Sequence, residues 1–253
     1  MKVISIANQK GGVGKTTTSY ALVYGLMKKG YRVLGIDLDP QANFSFCFEG
    51  IRTSNVATIY EVLKREVPID KSIQISRDNV HVIPSNILLS GADLDLNFTG
   101  KEYRLKESLE EIEDHYDFVI LDCPPSLSTL TINAFTASKD VIVPLGTDIF
   151  SLQGIGQLND TIRTVQRYCN SKLKIAGFLI TKWNNRSVLN NEIYNAIIEF
   201  GNKLNTKVFD SKIRESVVIK EAQTKSTNLF DYAPLNNAVV DYQSFVDEYL
   251  GGD

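Results

Sequence analysis

Lys10-Gly11-Gly12-Val13-Gly14-Lys15-Thr16-Thr17 is a glycine-rich turn that ends in a lysine and two hydroxyls. It meets the phosphate-loop pattern G-x-x-x-x-G-K-[ST] in a modified form, with Lys10 two residues ahead of Gly12. Before it, Val3-Ile4-Ser5-Ile6-Ala7 reads as a short buried strand. Behind it, Thr17 to Lys29 carries Ala21, Leu22 and Leu26 at helical spacing. Strand, glycine loop and helix form the context the motif needs. Glycines let the amides of Gly11, Gly12, Val13, Gly14, Lys15, Thr16 and Thr17 curl around phosphate oxygens, and the helix N-terminus adds partial positive charge. Lys15 would then reach the β- and γ-phosphates of a bound nucleotide, and the Thr16 hydroxyl would ligate Mg²⁺. A glycine turn without a ligand is the alternative, and the flanking strand and helix weigh against it.

The bulk numbers exclude several classes. The chain has 253 residues, with 27 Lys and Arg against 30 Asp and Glu. No apolar run approaches the roughly 20 residues of a membrane span, and the start lacks the pattern of a signal peptide. Cys47, Cys123 and Cys169 are far apart and never form a C-x-x-C pair, so reduced thiols in a cytoplasmic setting are expected. His81 and His115 are the two histidines, which disfavours histidine-based acid–base or metal chemistry. Phosphoryl transfer needs neither. From Arg163 to Lys225 there are 12 Lys and Arg against 5 Asp and Glu. That asymmetry fits either a polyanion-binding face or a set of unconnected solvated lysines.

Strands and amphipathic helices alternate along the whole chain. Candidate strands are 3–7, 32–37, 80–84, 118–122, 140–144 and 175–181, with a short one near 208–209. Candidate helices start near Thr16, Ile59, Tyr103, Thr129, Gly154, Val188, Val217 and Asn236. The pattern predicts an α/β fold of the P-loop NTPase type, a mostly parallel twisted sheet with helices on both faces. Residues 86–101 are polar and read as a loop, so a single domain over 1–253 is expected.

Two more strands end in carboxylates. Leu34-Gly35-Ile36-Asp37-Leu38-Asp39-Pro40-Gln41 leaves the second strand, and Val119-Ile120-Leu121-Asp122-Cys123-Pro124-Pro125 leaves another. Asp122 is the expected magnesium carboxylate, Asp37 supports the metal side, and Asp39 is placed to orient the attacking water. A lone Asp at a strand end is more often a turn former or helix cap. Three such elements in this order make the joint reading stronger.

Together, the lysine-bearing loop, Asp37-Leu38-Asp39-Pro40-Gln41 and Asp122-Cys123-Pro124-Pro125 resemble the ParA/Soj branch of the deviant Walker-A ATPases, which includes MinD. The resemblance continues through Thr58-Ile59-Tyr60-Glu61, Val82-Ile83-Pro84-Ser85-Asn86, Ser151-Leu152-Gln153-Gly154 and Glu221-Ala222. It implies a homodimer that sandwiches two ATP molecules. Lys10 would then stabilise the transferring phosphoryl group of the partner subunit, as an arginine finger does. It also implies switch segments at 39–43 and 122–128, slow ATPase turnover and a ParB-like centromere-binding adaptor that accelerates it. Adenine contacts are expected at Lys182, Trp183 and Asn184 and at 210–213, with Trp183 read first as a packing residue.

Members of this group act on the nucleoid or on the membrane. Residues 236–253 carry Asp241, Asp247, Glu248 and Asp253 and no Lys or Arg, so anionic lipid would repel them. Non-specific DNA is the expected partner, through phosphate contacts from Arg186, Lys203, Lys207, Arg214 and Lys220. The family often has a basic residue where this chain has Glu215 or Val218, and Arg214 and Lys220 are the possible substitutes. No helix-turn-helix domain fits ahead of residue 1, so base-specific operator binding is not expected. The rival readings are positioning of another cargo and a P-loop enzyme acting on a small molecule.

Overall fold

A computed structural model describes residues 1–148, 150–184 and 188–251. In chain order the elements are β1 (Lys2–Ile6), α1 (Lys15–Lys28), β2 (Val33–Asp37), α2 (Ile59–Leu63), β3 (Gln74–Ile75), β4 (His81–Ile83), α3 (Ala92–Asp95), α4 (Arg104–Glu110), β5 (Phe118–Asp122) and α5 (Thr129–Ala137). They continue with β6 (Asp140–Gly146), α6 (Phe150–Tyr168), β7 (Lys174–Trp183), α7 (Val188–Lys203), β8 (Val208–Arg214), α8 (Val217–Thr224), α9 (Leu229–Tyr232) and α10 (Asn237–Gly251).

The eight strands form one sheet in the order β3-β4-β2-β5-β1-β6-β7-β8. All neighbours pair in parallel except β3 with β4. Parallel strands covered on both faces read as unbroken apolar runs, because both side-chain rows are buried. In β5, Val119 and Leu121 join one core, while Phe118 and Ile120 join the other. The first core is closed by α2, α4, α5, α6 and α7, and the second by α1, α8, α9 and α10.

Strand order fixes where the site lies. β1 sits between β5 and β6, so the chain leaving β1 emerges where connections diverge to the two halves of the sheet. That divergence opens a crevice at the carboxyl ends of the strands. Register then aligns three strand ends, with Ile6 opposite Asp122 and Asp122 opposite Asp37. Gly35 in β2 leaves room for the Phe44 ring, since a Cβ there would lie 2.7 Å from it.

Several expectations need correction. Residues 86–101 contain α3 and are not all loop. β3 has two residues and shows no periodicity to read. α6 starts at Phe150, four residues before the expected Gly154. β8 extends to Arg214, although its Asp-Ser-Lys interior has no apolar alternation. In the last helix Val239, Tyr242, Phe245, Val246 and Tyr249 form the packed face, whereas Val240 is 45% exposed. No described helix is long and apolar enough to cross a membrane.

Candidate nucleotide site

Gly12 (φ 71°) and Gly14 (φ 87°) both adopt the left-handed conformation that favours glycine. Gly14 is the N-cap of α1, and no side chain caps that end. The first amides of α1 therefore point into the crevice as anion donors. The loop is pinned from below, where Thr181 Oγ1 donates to Val13 O at 2.8 Å and to Leu145 O at 3.2 Å.

Lys15 is 7% exposed and donates from Nζ to Lys10 O at 3.0 Å. Burial pulls its pKa down, and the charges of Asp122, the Cys123 thiol and Asp39 oppose that shift. An ammonium held this way has shed most of its water before a phosphate arrives.

Asp122 is fully buried and accepts two hydroxyls. Thr16 Oγ1 donates to Oδ2 at 2.8 Å and Ser19 Oγ donates to Oδ1 at 2.7 Å. Burial pushes its pKa up to about 6 against the pull of those donors and of Lys15. A hydroxyl and a carboxylate beside a phosphate loop form the hard-oxygen donor set that magnesium takes, so Thr16 and Asp122 fit the metal.

Asp37 faces inward. Its Oδ1 accepts from Asp39 N at 3.0 Å, and its Oδ2 accepts from Ser45 N at 2.8 Å and Ser45 Oγ at 2.7 Å. It is absent from the cleft lining. Expected on the metal side, it instead braces the loop that carries Asp39. Burial, with Asp122 adding to it, pushes its pKa up to about 8. Ser45→Ala removes one of these donors and the acceptor of Ser85 N at 3.1 Å. Such a loss costs about 2 kcal/mol. Urea unfolding of the nucleotide-free protein checks this, and a change below about 0.5 kcal/mol would discard the bracing role.

Asp39 lines the cleft, and its Oδ1 accepts from Gln41 N at 3.0 Å. The turn that follows holds Ala42 at φ 55°, a strained conformation for a residue with a Cβ. Lys10 pairs through Nζ with Asp148 Oδ1 of the same chain.

The glycine loop, Lys15, Thr16 and Asp39 border one cleft of about 690 Å³, which suits a small-molecule ligand; Asp122 is buried behind Thr16. Gly11, Gly12, Gly14, Lys15, Thr16 and Thr17 form its floor, with Asp39, Gln41 and Asn43 on one side and Pro125 and Lys182 on another. Lys220, Gln223 and Thr224 of α8 form a wall that sequence reasoning missed. Sequence reading assigns Lys220 to DNA contacts, and Gln223 and Thr224 carry no motif that would mark them. α8 is also tied to the Asp39 side, since Gln223 Nε2 donates to Cys47 Sγ at 3.4 Å and Ser226 Oγ donates to Phe46 O at 2.9 Å.

Other expected site residues fall elsewhere. Asn184 is not among the lining residues, and its carbonyl accepts from Asn190 Nδ2 at 3.1 Å. Trp183 packs edge-on against Tyr194 at 5.6 Å, with Lys212 Nζ 4.7 Å from its ring centre. Arg214 is bound to Asp241, Nε to Oδ2 at 2.8 Å and Nη2 to Oδ1 at 2.6 Å. Lys203 and Lys207 stand where α7 ends and β8 begins, at the far end of the sheet from Lys220. The five DNA candidates therefore do not share one face, and Arg186 lies outside the described residues.

A family profile described as an AAA domain matches residues 1–175. Over 250 residues the chain is 37% identical to the sporulation initiation inhibitor protein Soj of Bacillus subtilis, covering 98% of this chain and 97% of that one. It is 40% identical over 238 residues to the chromosome partitioning protein ParA of Caulobacter vibrioides, with 91% and 88% covered. Among solved structures, the cobyrinic acid a,c-diamide synthase of Mycobacterium smegmatis with a bound ATP analogue and magnesium superposes with a TM-score of 0.85 at 32% identity. That match covers 98% of this chain and 93% of that one. The likeness to Soj takes in every wall of the cleft, from the glycine loop to α8, and so the chain belongs to the ParA/Soj family of partition ATPases.

Proposed function

We propose that this ATPase segregates DNA, binding duplexes without base preference as an ATP-bound homodimer and letting go when a centromere-bound, ParB-like adaptor speeds hydrolysis. The reading rests foremost on the alignment of the ends of β1, β2 and β5, which gathers the glycine loop and the Asp39 turn around one cleft, with Asp122 buried behind Thr16. The amides at the start of α1 and the ammonium of Lys15 bind the phosphates of ATP. Thr16 and Asp122 hold magnesium, which when bound draws charge from the phosphate oxygens. Asp39 orients water toward the γ-phosphate. With no stronger general base beside it, such a carboxylate suits a slow timer.

The turn at 39–43 and the segment 122–128 act as switches that take one arrangement with the γ-phosphate and another without it. Lys10 exchanges its partner within the chain for the nucleotide of the second subunit as the dimer closes. The site of action is the cytoplasm, on the nucleoid.

The likeness to a cobyrinic acid a,c-diamide synthase makes ATP-dependent amidation the second reading. Gel shifts on unrelated duplexes with ATP, with ADP and without nucleotide separate the two. Binding that requires ATP supports partition, whereas equal binding in all three removes the switch. Turnover driven by cobyrinic acid and an amide donor, without DNA binding, would favour amidation. Asp39→Ala is expected to keep ATP while cutting hydrolysis roughly 100-fold, so that dimers accumulate. Size-exclusion chromatography with ATP and magnesium reads this directly, and a purely monomeric variant counts against the timer.

A further inference from the structure

The chain leaves β4 at the carboxyl ends of the strands and forms a 3₁₀ turn, Ile87–Gly91, that runs straight into α3. Leu89, Ala92 and Leu96 turn into the first core, each 1% exposed. Ile87, Leu88 and Leu94 stand outward, at 64%, 55% and 84% exposed. Single exposed apolar side chains are ordinary. Three of them within one turn and the short helix after it form a ridge, and such a concentration marks a surface that something covers.

The ridge is acidic as well as apolar. Asp93 and Asp95 are exposed, and no Lys or Arg lies between Arg77 and Lys101. The cations packed nearby are engaged. Lys64 Nζ lies 2.6 Å from Glu66, and the buried Arg104 donates to Leu63 O at 3.0 Å. A second copy docked ridge to ridge would set the aspartates against their own counterparts, and like charges brought together oppose association. An apolar ridge flanked by carboxylates fits an amphipathic segment that carries Lys or Arg beside its apolar anchors.

The ridge is also tied to a switch. Asp93 Oδ1 accepts from Thr129 N at 2.9 Å, at the first residue of α5. Ser128, the N-cap of α5, makes no side-chain cap bond of its own. Asp93 therefore supplies the acceptor for the helix end into which residues 122–128 lead. On the other flank, Asp95 Oδ2 accepts from Tyr60 Oη at 2.7 Å. No residue from 86 to 98 is among those lining the nucleotide cleft, so an occupant of the ridge leaves the nucleotide in place.

We propose that this ridge is where the adaptor of the partition reading docks, through a cationic amphipathic segment. Its apolar side chains cover Ile87, Leu88 and Leu94, and its lysines or arginines face Asp93 and Asp95. The proposal rests on that reading and deepens it by naming the surface and the route to hydrolysis. Docking draws on Asp93, shifts the start of α5 and repositions the 122–128 switch. Each protomer carries its own ridge, so binding needs no nucleotide, while acceleration needs ATP.

The test uses the purified ParB-like protein of the same genome and short overlapping peptides that tile it. Ile87→Ser/Leu94→Ser should bind that protein roughly 30-fold more weakly and lose most of the stimulation of ATPase activity. Ile75→Ser/Leu235→Ser removes side chains 59% and 91% exposed elsewhere and should behave as the parent. Unchanged adaptor-free ATPase activity certifies the fold of the ridge variant, and Leu94→Ser alone replaces it if that activity is lost. The stimulating peptides should be those with Lys or Arg beside apolar residues, and their binding should weaken with salt. Asp93→Ala should bind the adaptor within about threefold of the parent, yet its stimulation should fall roughly tenfold. Asp93→Asn keeps an acceptor oxygen and should restore it.

Parent-like binding and stimulation in the ridge variant, or an equal loss in the control, overturns the location. Full stimulation of Asp93→Ala overturns the route through α5. Stimulation by peptides without Lys or Arg overturns the choice of a cationic segment. Loss of the ATP dimer by the ridge variant in the Asp39→Ala background means that a second copy covers the ridge, and the adaptor assignment falls. A parent protein that the adaptor neither binds nor stimulates removes the adaptor from the partition reading itself, and this surface with it.

Discussion

Lys15→Ala is expected to abolish ATP binding, with affinity for a fluorescent ATP analogue falling by roughly 100-fold or more. The size of the effect follows from burial. Lys15 is already desolvated in the apo chain, and its Nζ hydrogen bond is to the Lys10 carbonyl. A phosphate oxygen offered to that ammonium gains a charge-assisted hydrogen bond without a large further dehydration cost. Alanine leaves the triphosphate with the amides of α1 but without the compensating charge. Far-UV circular dichroism should match the parent, because Lys15 begins α1 and adds nothing to either apolar core. Affinity within threefold of the parent would mean that the nucleotide does not lie along this loop.

Lys10→Ala should separate binding from dimerisation. The side chain is about a third exposed and pairs with Asp148 in its own chain, beyond the buried Lys15. Its removal should leave the ATP affinity of a monomer within about threefold. On the proposed sandwich the dimer should weaken by roughly 100-fold, because each cleft would lose the cation that the second subunit is proposed to contribute against the γ-phosphate. Analytical ultracentrifugation with ATP, magnesium and the Asp39→Ala background reads the dimer constant without interference from hydrolysis. Intact dimers would confine Lys10 to its role within one chain. Failure of ATP binding would make it part of the monomeric site instead.

Much of the site was legible because the chemistry is local. Glycines at 12 and 14, a lysine at 15 and a hydroxyl at 16 fix backbone conformation and donor position within a single turn. A β-branched run before them and helical spacing after them place that turn between a strand and α1. Thr16, Asp37 and Asp122 were legible as metal candidates because each stands at a marked spot, a helix start or a strand end, and Thr16 and Asp122 meet at 2.8 Å although 106 positions separate them. The parallel sheet was legible for a related reason. Strands buried on both faces read as continuous apolar runs, and helices between them show the longer period.

The same apolar logic failed at β3, which is too short to show a period, and in β8, where Asp210, Ser211 and Lys212 interrupt one.

Taken alone, the sequence determined that a phosphate-binding loop begins this fold and that two carboxylate-bearing strand ends accompany it, because those features are set by residues in close succession. Tertiary structure decided how the work is divided. Tertiary contacts tied Asp37 to Ser45 as a brace and Asp122 to Thr16 and Ser19, and packing of α8 against residues 46–47 made Lys220, Gln223 and Thr224 a cleft wall. It also separated basic residues that lie close along the chain. Lys203 and Lys207 stand at the amino ends of parallel strands and Lys220 at the carboxyl ends, because a strand carries the chain from one pole of the sheet to the other in seven residues.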